Sequence, residues 1–310
     1  SCGMTKMAGS TRSRHFDARK PSREGKLPVA EPTTVGKFFV LLIMHLCRKI
    51  LFIDTTYKAG LYMCAVTVGS VITDLVPVPK MYLANKNNFL NIYFVKFAWG
   101  WTCILLSAFI YLTANIYCIR EQKLIRNHLM RMVIGTAVWF SCTSLFNHIE
   151  NITGDCTEPG GKDKLSCRKL DGTWLGFDIS GHAFLLIYCL LMISEEAKCL
   201  KGWEKIVELP QKEEENPTGR YTEDQRSQLK EDLLMYTPYI KGLTVSIAVL
   251  VLIWEVMLAS TIIYFHNMPQ KLSGAVFAVF MWFFTYNVFY KTNRNIPSPG
   301  TGLIRYMKDG

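Results

Sequence analysis

The chain is short of histidine, lacks a detectable internal repeat, and has no basic surface set on a polar fold. Only His15, His45, His128, His148, His182 and His266 occur in 310 residues, so imidazole chemistry has few places to sit. Without a repeat, an inverted-repeat transporter loses support. A soluble nucleic-acid binder would carry its Lys and Arg on a folded polar face, and none is legible, so no nucleic-acid partner is expected. The first forty residues are polar and basic, so no cleavable signal peptide is expected either.

What the chain has in quantity is apolar sequence. Half its residues are hydrophobic and its mean hydropathy is +0.15, despite 35 Lys and Arg and 25 Asp and Glu. The charges sit in blocks between long apolar runs, as in a polytopic membrane protein, and the net charge of +10 suits flanks that face anionic lipid. The expected fold is an all-α polytopic membrane protein: six transmembrane helices after an N-terminal amphipathic interfacial helix.

Residues 1–34, rich in Arg, Lys, Ser and Pro, read as a disordered cytosolic tail. The segment 35–53 is apolar but carries Lys37, His45, Arg48 and Lys49 in one stripe, roughly a third of the circumference at 100° per residue. That pattern predicts a helix lying on the membrane surface within 35–55. Spans are expected at 57–76, 91–116, 130–146, 179–193, 240–265 and 272–290, within a catalytic domain 57–290. The fourth, at 15 residues, is short against the usual ~17–25 and is expected to begin a few residues earlier. The intervening 195–239, with Glu213, Glu214, Glu215 and Pro217, reads as a flexible cytosolic linker, and 291–310 as a cytosolic tail.

Six spans put both termini on one side. Arg120, Lys123, Arg126, Arg131, the basic N-terminal tail and the residues after Lys291 mark that side as cytosolic. The loops 77–90, 149–178 and 266–271 then face the lumen. Seven cysteines, Cys47, Cys64, Cys103, Cys118, Cys142, Cys189 and Cys199, lie in or beside apolar runs as small hydrophobes. Cys156 and Cys167 instead share a polar loop with the sequon Asn151-Ile152-Thr153. A bridge between them would constrain the loop by about 2–3 kcal/mol and requires an oxidising compartment.

This topology brings two histidines to the lumenal boundary. Phe177-Asp178-Ile179-Ser180-Gly181-His182 opens the fourth span, and a helix start favours phosphate. His266 ends the fifth span. One neutral imidazole can attack phosphorus while a second, protonated, gives a proton to the leaving group, with cations offsetting phosphoryl charge. Cationic candidates are Lys80, Lys86, Lys96 and Lys271. Lys96 stands out as a charge inside a span. Glu255 lies eleven residues, three turns, before His266 on the same face, roughly 16 Å away at 1.5 Å per residue. It either lines a cavity or pairs with another helix. His148, beside Glu150, is a capping or orienting group. The residues therefore point to a phosphorus-directed hydrolase embedded in a membrane.

The motifs Asn91-Ile92-Tyr93-Phe94-Val95-Lys96, His148-Ile149-Glu150-Asn151-Ile152-Thr153-Gly154-Asp155-Cys156, Gly176 to His182, and Tyr264-Phe265-His266-Asn267 closely resemble the fat storage-inducing transmembrane proteins, over about 60–290. With Ser-Gly-His intact, the chain is more similar to the broadly expressed kind than to the muscle type. The resemblance implies an endoplasmic reticulum protein with six spans and both termini cytosolic. It also implies a fatty acyl-CoA diphosphatase related to lipid phosphate phosphatases, supporting lipid droplet emergence, with triacylglycerol and diacylglycerol as further ligands. By motif it places the catalytic pair on His182 and His266, with Ser180, Asp178, Lys271, Lys96 and Lys86 as expected substrate-binding residues. No cofactor and no metal site are expected. The wider lipid phosphatase pattern fits in part: Ser180-Gly181-His182 matches its central triplet. At the third motif Ser260 replaces Arg and Gln270 replaces Asp, and the chain contains no Arg-Pro. Asp178, Glu150 and the lysines are the candidate substitutes. By the same analogy His266 is the expected nucleophile and His182 the general acid. The competing reading is a non-catalytic membrane protein that binds neutral lipid and shapes droplets.

Overall fold

A computed structural model describes residues 35–304 other than Pro77 and Arg294, with nothing said of the Lys37 side chain; the expected disordered tail and residues 305–310 lie outside the described residues. The chain divides into two units, 1–39 and 40–310, and the first is described only as the opening of helix α1. Helices α1 (Val35–Leu51), α2 (Thr55–Leu75), α3 (Phe89–Tyr93), α4 (Ala98–Tyr117), α5 (Gln122–Ile152), α6 (Lys164–Lys169), α7 (Gly181–Glu196), α8 (Trp203–Glu215), α9 (Glu223–Tyr264) and α10 (Met268–Trp282) carry the fold. A two-residue ribbon, β1 (Asp155–Cys156) against β2 (Trp174–Leu175), is antiparallel.

Helix α7 sits at the centre. It is apolar on every side, and a helix apolar all round must be surrounded by protein or lipid. Here protein surrounds it: every side chain from Phe184 to Glu196 except Leu185 is buried, against α2, α4, α5, α9 and α10. With α7 counted between α5 and α9, the six alternate in direction along the chain. The start of α4 and the ends of α2, α5 and α9 meet at the start of α7. At its other end Tyr117, which closes α4, donates to the Cys199 carbonyl, and Lys58 near the start of α2 donates to Ser194 Oγ at 3.0 Å.

Among the described residues four helices are long and apolar enough to cross a membrane: Phe89–Tyr117, Gln122–Ile152, Glu223–Tyr264 and Met268–Thr292. The chain is therefore an all-α multi-pass membrane protein. Of the six expected spans, α2 and α7 fall outside this group of four. Helix α2 carries Lys58 and Asp74 near its ends, and α7 has only 16 residues. The shortness of α7 is not relieved at its start, which lies at Gly181; it runs on to Glu196 instead.

The linker expectation for 195–239 also needs correction. It holds α8 and the first turns of the 42-residue α9, whose start is capped by a reciprocal Thr222–Gln225 box. Mixed charge here is paired rather than merely solvated: Arg120 clasps the buried Asp232 at 2.5 and 2.9 Å, and Glu213 binds Thr218 at 2.6 Å. The pattern of charges reads as solvent-facing because a sequence does not show which ones meet. Arg131, counted above with a basic loop, is buried inside α5 and makes a bidentate bond to Glu196 at 2.7 and 2.8 Å. Tyr286 donates to the same carboxylate at 2.8 Å. Of the expected tail, residues 295–304 are bonded back to the bundle. The Pro297 carbonyl accepts from Arg131, the Thr301 carbonyl meets His128 Nε2, and Ile304 N donates to the Tyr117 carbonyl.

Breaking one side of a buried ion pair strands a charge. Arg131→Ala is therefore expected to cost about 3–5 kcal/mol, while Arg131→Met with Glu196→Leu recovers most of it. Thermal unfolding in detergent measures both, and equal losses in the single and double variants would contradict the assignment.

Candidate functional site

A cavity of about 600 Å³ opens at the start of α7, lined by Lys86, Asn87, Asn91, Lys96, Asp178, His182, Thr261, Tyr264, Phe265 and His266. Three segments far apart in sequence contribute to it, 86–96, 178–182 and 261–266, so its composition needs each held in place.

His182 enters on the first turn of α7. Ser180 is the cap: its hydroxyl accepts from Ala183 N at 3.3 Å, supplying one of the partners that a helix start lacks. The Ser180 side chain is fully buried, so it acts on the cavity through this cap and does not line it. The backbone around it is pinned to α10, with Ser180 N donating to the Gln270 carbonyl at 3.0 Å. Glycine is needed where these helices touch: a Cβ on Gly274 would stand 2.5 Å from the Ser180 oxygen.

His266 occupies the turn between α9 and α10. Its φ is +56°, the left-handed region that a helix end usually fills with glycine. The turn is clamped from both sides. Asn267 and Gln270 form a reciprocal cap on α10, and Asp74 of α2 accepts from Met268 N at 3.2 Å. Lys271, expected to bind substrate, does not line the cavity. It is buried and its Nζ donates to the Ile262 carbonyl at 2.7 Å, satisfying one of the orphan carbonyls that end α9.

Around His266 Nδ1 stand two acceptors, Gln270 Oε1 at 3.2 Å and Asp178 Oδ2 at 3.7 Å. Acceptors at Nδ1 favour the tautomer that carries its proton there, which leaves the Nε2 lone pair free. Asp178 reaches this position because the segment leading to it is tied to the end of α5. Thr153 Oγ1 accepts from Phe177 N at 2.9 Å, and Trp174 Nε1 donates to the Glu150 carbonyl at 3.1 Å. The Cys156–Cys167 disulfide closes the same loop. At its short helix α6, the Ser166 N–H holds the Asp163 carboxyl below its usual range, so that cap persists until the loop is acidified.

Lys96 lies in a 3₁₀ turn, Val95–Phe97, that interrupts the path from α3 into α4. The break exposes Lys96 to the cavity, so its ammonium is not enclosed in a span as expected. Asn88 caps α3 through Asn91 N at 2.7 Å, which turns Lys86, Asn87 and Asn91 toward the same space. Glu150 is absent from the cavity and pairs with Lys164 at 2.5 Å. His148 is exposed on α5, and Glu255 accepts from Tyr62 of α2 at 3.2 Å, the helix pairing rather than the cavity lining. Asn87 and Thr261 also line the cavity but belong to none of the motifs above; their polar character beside the lysine and histidine motifs is the one sequence signal for them.

The architecture and cavity define a class: a membrane-embedded protein with paired imidazoles, two lysines and a carboxylate facing one water-accessible space. The family profile described as fat storage-inducing transmembrane protein matches residues 79–153 and 147–286. Acyl-coenzyme A diphosphatase FITM2 of Drosophila melanogaster is 38% identical over 305 residues, covering 94% of this chain and 72% of the relative. The human protein of that name is 36% identical over 242 residues, 76% of this chain and 82% of its own length, and the Danio rerio one 35% over 242 residues. The chain belongs to the fat storage-inducing transmembrane protein family. No solved structure matches it.

Left-handed backbone at a non-glycine residue costs roughly 1 kcal/mol. His266→Gly is therefore expected to hold or raise the thermal midpoint, whereas Gly274→Ala, which drives a methyl into the Ser180 carbonyl, lowers the midpoint through a loss of about 1–3 kcal/mol of stability. Thermal scans of the two variants side by side test the packing of the turn.

Proposed function

We propose that this protein is a fatty acyl-CoA diphosphatase of the endoplasmic reticulum membrane, hydrolysing acyl-CoA to acyl 4′-phosphopantetheine and adenosine 3′,5′-bisphosphate and supporting lipid droplet formation. The observation that carries the reading is the convergence of His182, His266, Lys86 and Lys96 on one cavity. The names of its relatives supply the substrate class.

In this reading His266 Nε2 attacks one phosphorus of the diphosphate, with Nδ1–H directed at Gln270 and Asp178. The bridging P–O bond breaks, and its oxygen takes the proton of a protonated His182. Water then cleaves the phosphohistidine, His182 accepting its proton and His266 returning to its starting state. Lys86 and Lys96 offset the charge that gathers on the phosphoryl oxygens, the work of the arginine missing from the lipid phosphatase pattern. Asp178 is favoured over Glu150 as the substitute for the missing aspartate, since it alone of the two approaches His266.

The topology we propose has α2 and α7 completing six crossings, α1 on the membrane surface, both termini cytosolic and the cavity lumenal. The disulfide in the loop beside the cavity supports that orientation, because such bridges persist in oxidising compartments. Labelling of reduced 156 and 167 thiols only after the microsomal membrane is opened is the expected result; labelling from the cytosol reverses the orientation.

His182→Ala and His266→Ala are each expected to lower acyl-CoA turnover by at least roughly a hundredfold. Asp178→Asn should lower kcat with little change in KM, and Lys96→Gln should raise KM. Turnover by purified, folded protein measures all four. Near-normal turnover in either histidine variant would favour the non-catalytic reading, in which the cavity serves neutral-lipid binding.

A further inference from the structure

A second concavity lies at the opposite end of α9. One cavity of about 670 Å³ runs between α8 and α9, and another of about 570 Å³ continues it beneath α1; Val207, Thr237 and Lys241 line both. Apolar side chains dominate this trough, with Val207 and Leu234 left 45% and 76% exposed. Lys241 is the last charge before the length of α9 that ends at the His266 turn and is apolar but for Glu255. That length, 242–264, rises roughly 35 Å at 1.5 Å per residue, about the thickness of a hydrocarbon layer. The trough therefore sits at the other membrane boundary from the histidine cavity.

Its charges are unbalanced in a specific way. The acids in the trough are matched: Glu204 by Arg48, Glu208 by Lys212 at 2.8 Å, and Glu214 by Lys230 at 3.8 Å. Among the described residues Lys241 and His45 line it without an ion-pair partner. An apolar slot at a membrane boundary with an unmatched ammonium on its wall fits a ligand with a hydrocarbon chain and one anionic head.

We propose that the trough between α8 and α9, closed by α1, binds an anionic membrane phospholipid, its phosphate at Lys241 and an acyl chain along Val207, Leu233 and Leu234. A neutral lipid would fill the same apolar wall but leave Lys241 without a counter-charge. The site is separate from the hydrolytic cavity and does not depend on the activity proposed for it.

Trp203 lines the trough beneath α1 and reports its occupancy. The test uses the full-length protein in nanodiscs of increasing brominated-lipid content, taking the Trp203→Phe protein as the subtraction. Brominated phosphatidylserine is expected to quench the Trp203 signal at roughly fivefold lower mole fraction than brominated phosphatidylcholine. Lys241→Gln should abolish that preference, Lys241→Arg should keep it, and added salt should weaken it. Lys241 is exposed, so an unchanged thermal midpoint shows that the variants are folded. Equal quenching by the two lipids, a preference for brominated diacylglycerol, or an unchanged preference in Lys241→Gln overturns the proposal.

Discussion

Helix α7 has 16 residues, roughly 24 Å at 1.5 Å per residue, against a hydrocarbon layer of about 30 Å. A helix that short and that apolar is stable only if longer helices enclose it. Enclosure has a consequence at each end. Where α7 begins, its longer neighbours stand past it and leave a recess that water enters, and His182 is on its first turn. Where it ends, Glu195 and Glu196 stop inside protein and must find partners there. Arg131, Tyr286, Trp282 and Lys198 are those partners. One property of one helix thus sets both the histidine-lined recess and the buried charge cluster opposite.

The recess works only if the second histidine arrives at a fixed place. Contact between α7 and α10 supplies that, through backbone more than through side chains: the Ser180 N–H meets the Gln270 carbonyl, and Gly274 lets the chains close. Gln270 then joins the two halves of the site. Its carbonyl holds the Ser-Gly-His turn while its side chain faces His266 Nδ1. A residue that departs from the lipid phosphatase pattern is therefore in the position where a departure can be compensated, with Asp178 approaching the same nitrogen from the segment before α7.

Much of this was legible in the sequence for physical reasons. Long apolar runs report membrane helices directly, and six histidines leave few combinations to weigh. What stayed hidden depends on tertiary meeting. Lys271 reads as a phosphate ligand because it follows His266 by five residues, yet the turn folds it back onto a helix end. Arg131 reads as loop charge because nothing local reveals Glu196. The acidic segment before α9 reads as a linker because its pairings, such as Glu213 with Thr218, form only once the helices assemble. Lys96 faces the cavity from a 3₁₀ break at Val95–Phe97, and short breaks leave little trace in hydropathy.

The exchange of arginine for lysine has a further physical meaning. A guanidinium offers a planar fork that aligns a phosphoryl group as well as neutralising it, whereas an ammonium on a flexible stem supplies charge with little direction. With Lys86 and Lys96 as the cations in the recess, alignment of the reacting phosphorus has to come from elsewhere. The groups whose positions are most constrained are the histidines: His182 by a capped helix start, His266 by a left-handed turn clamped at Asp74, Asn267 and Lys271. In the mechanism we propose, the lysines act as a charged lining tolerant of where the long acyl chain enters, and the rigid frame of the two imidazoles decides which bond is broken.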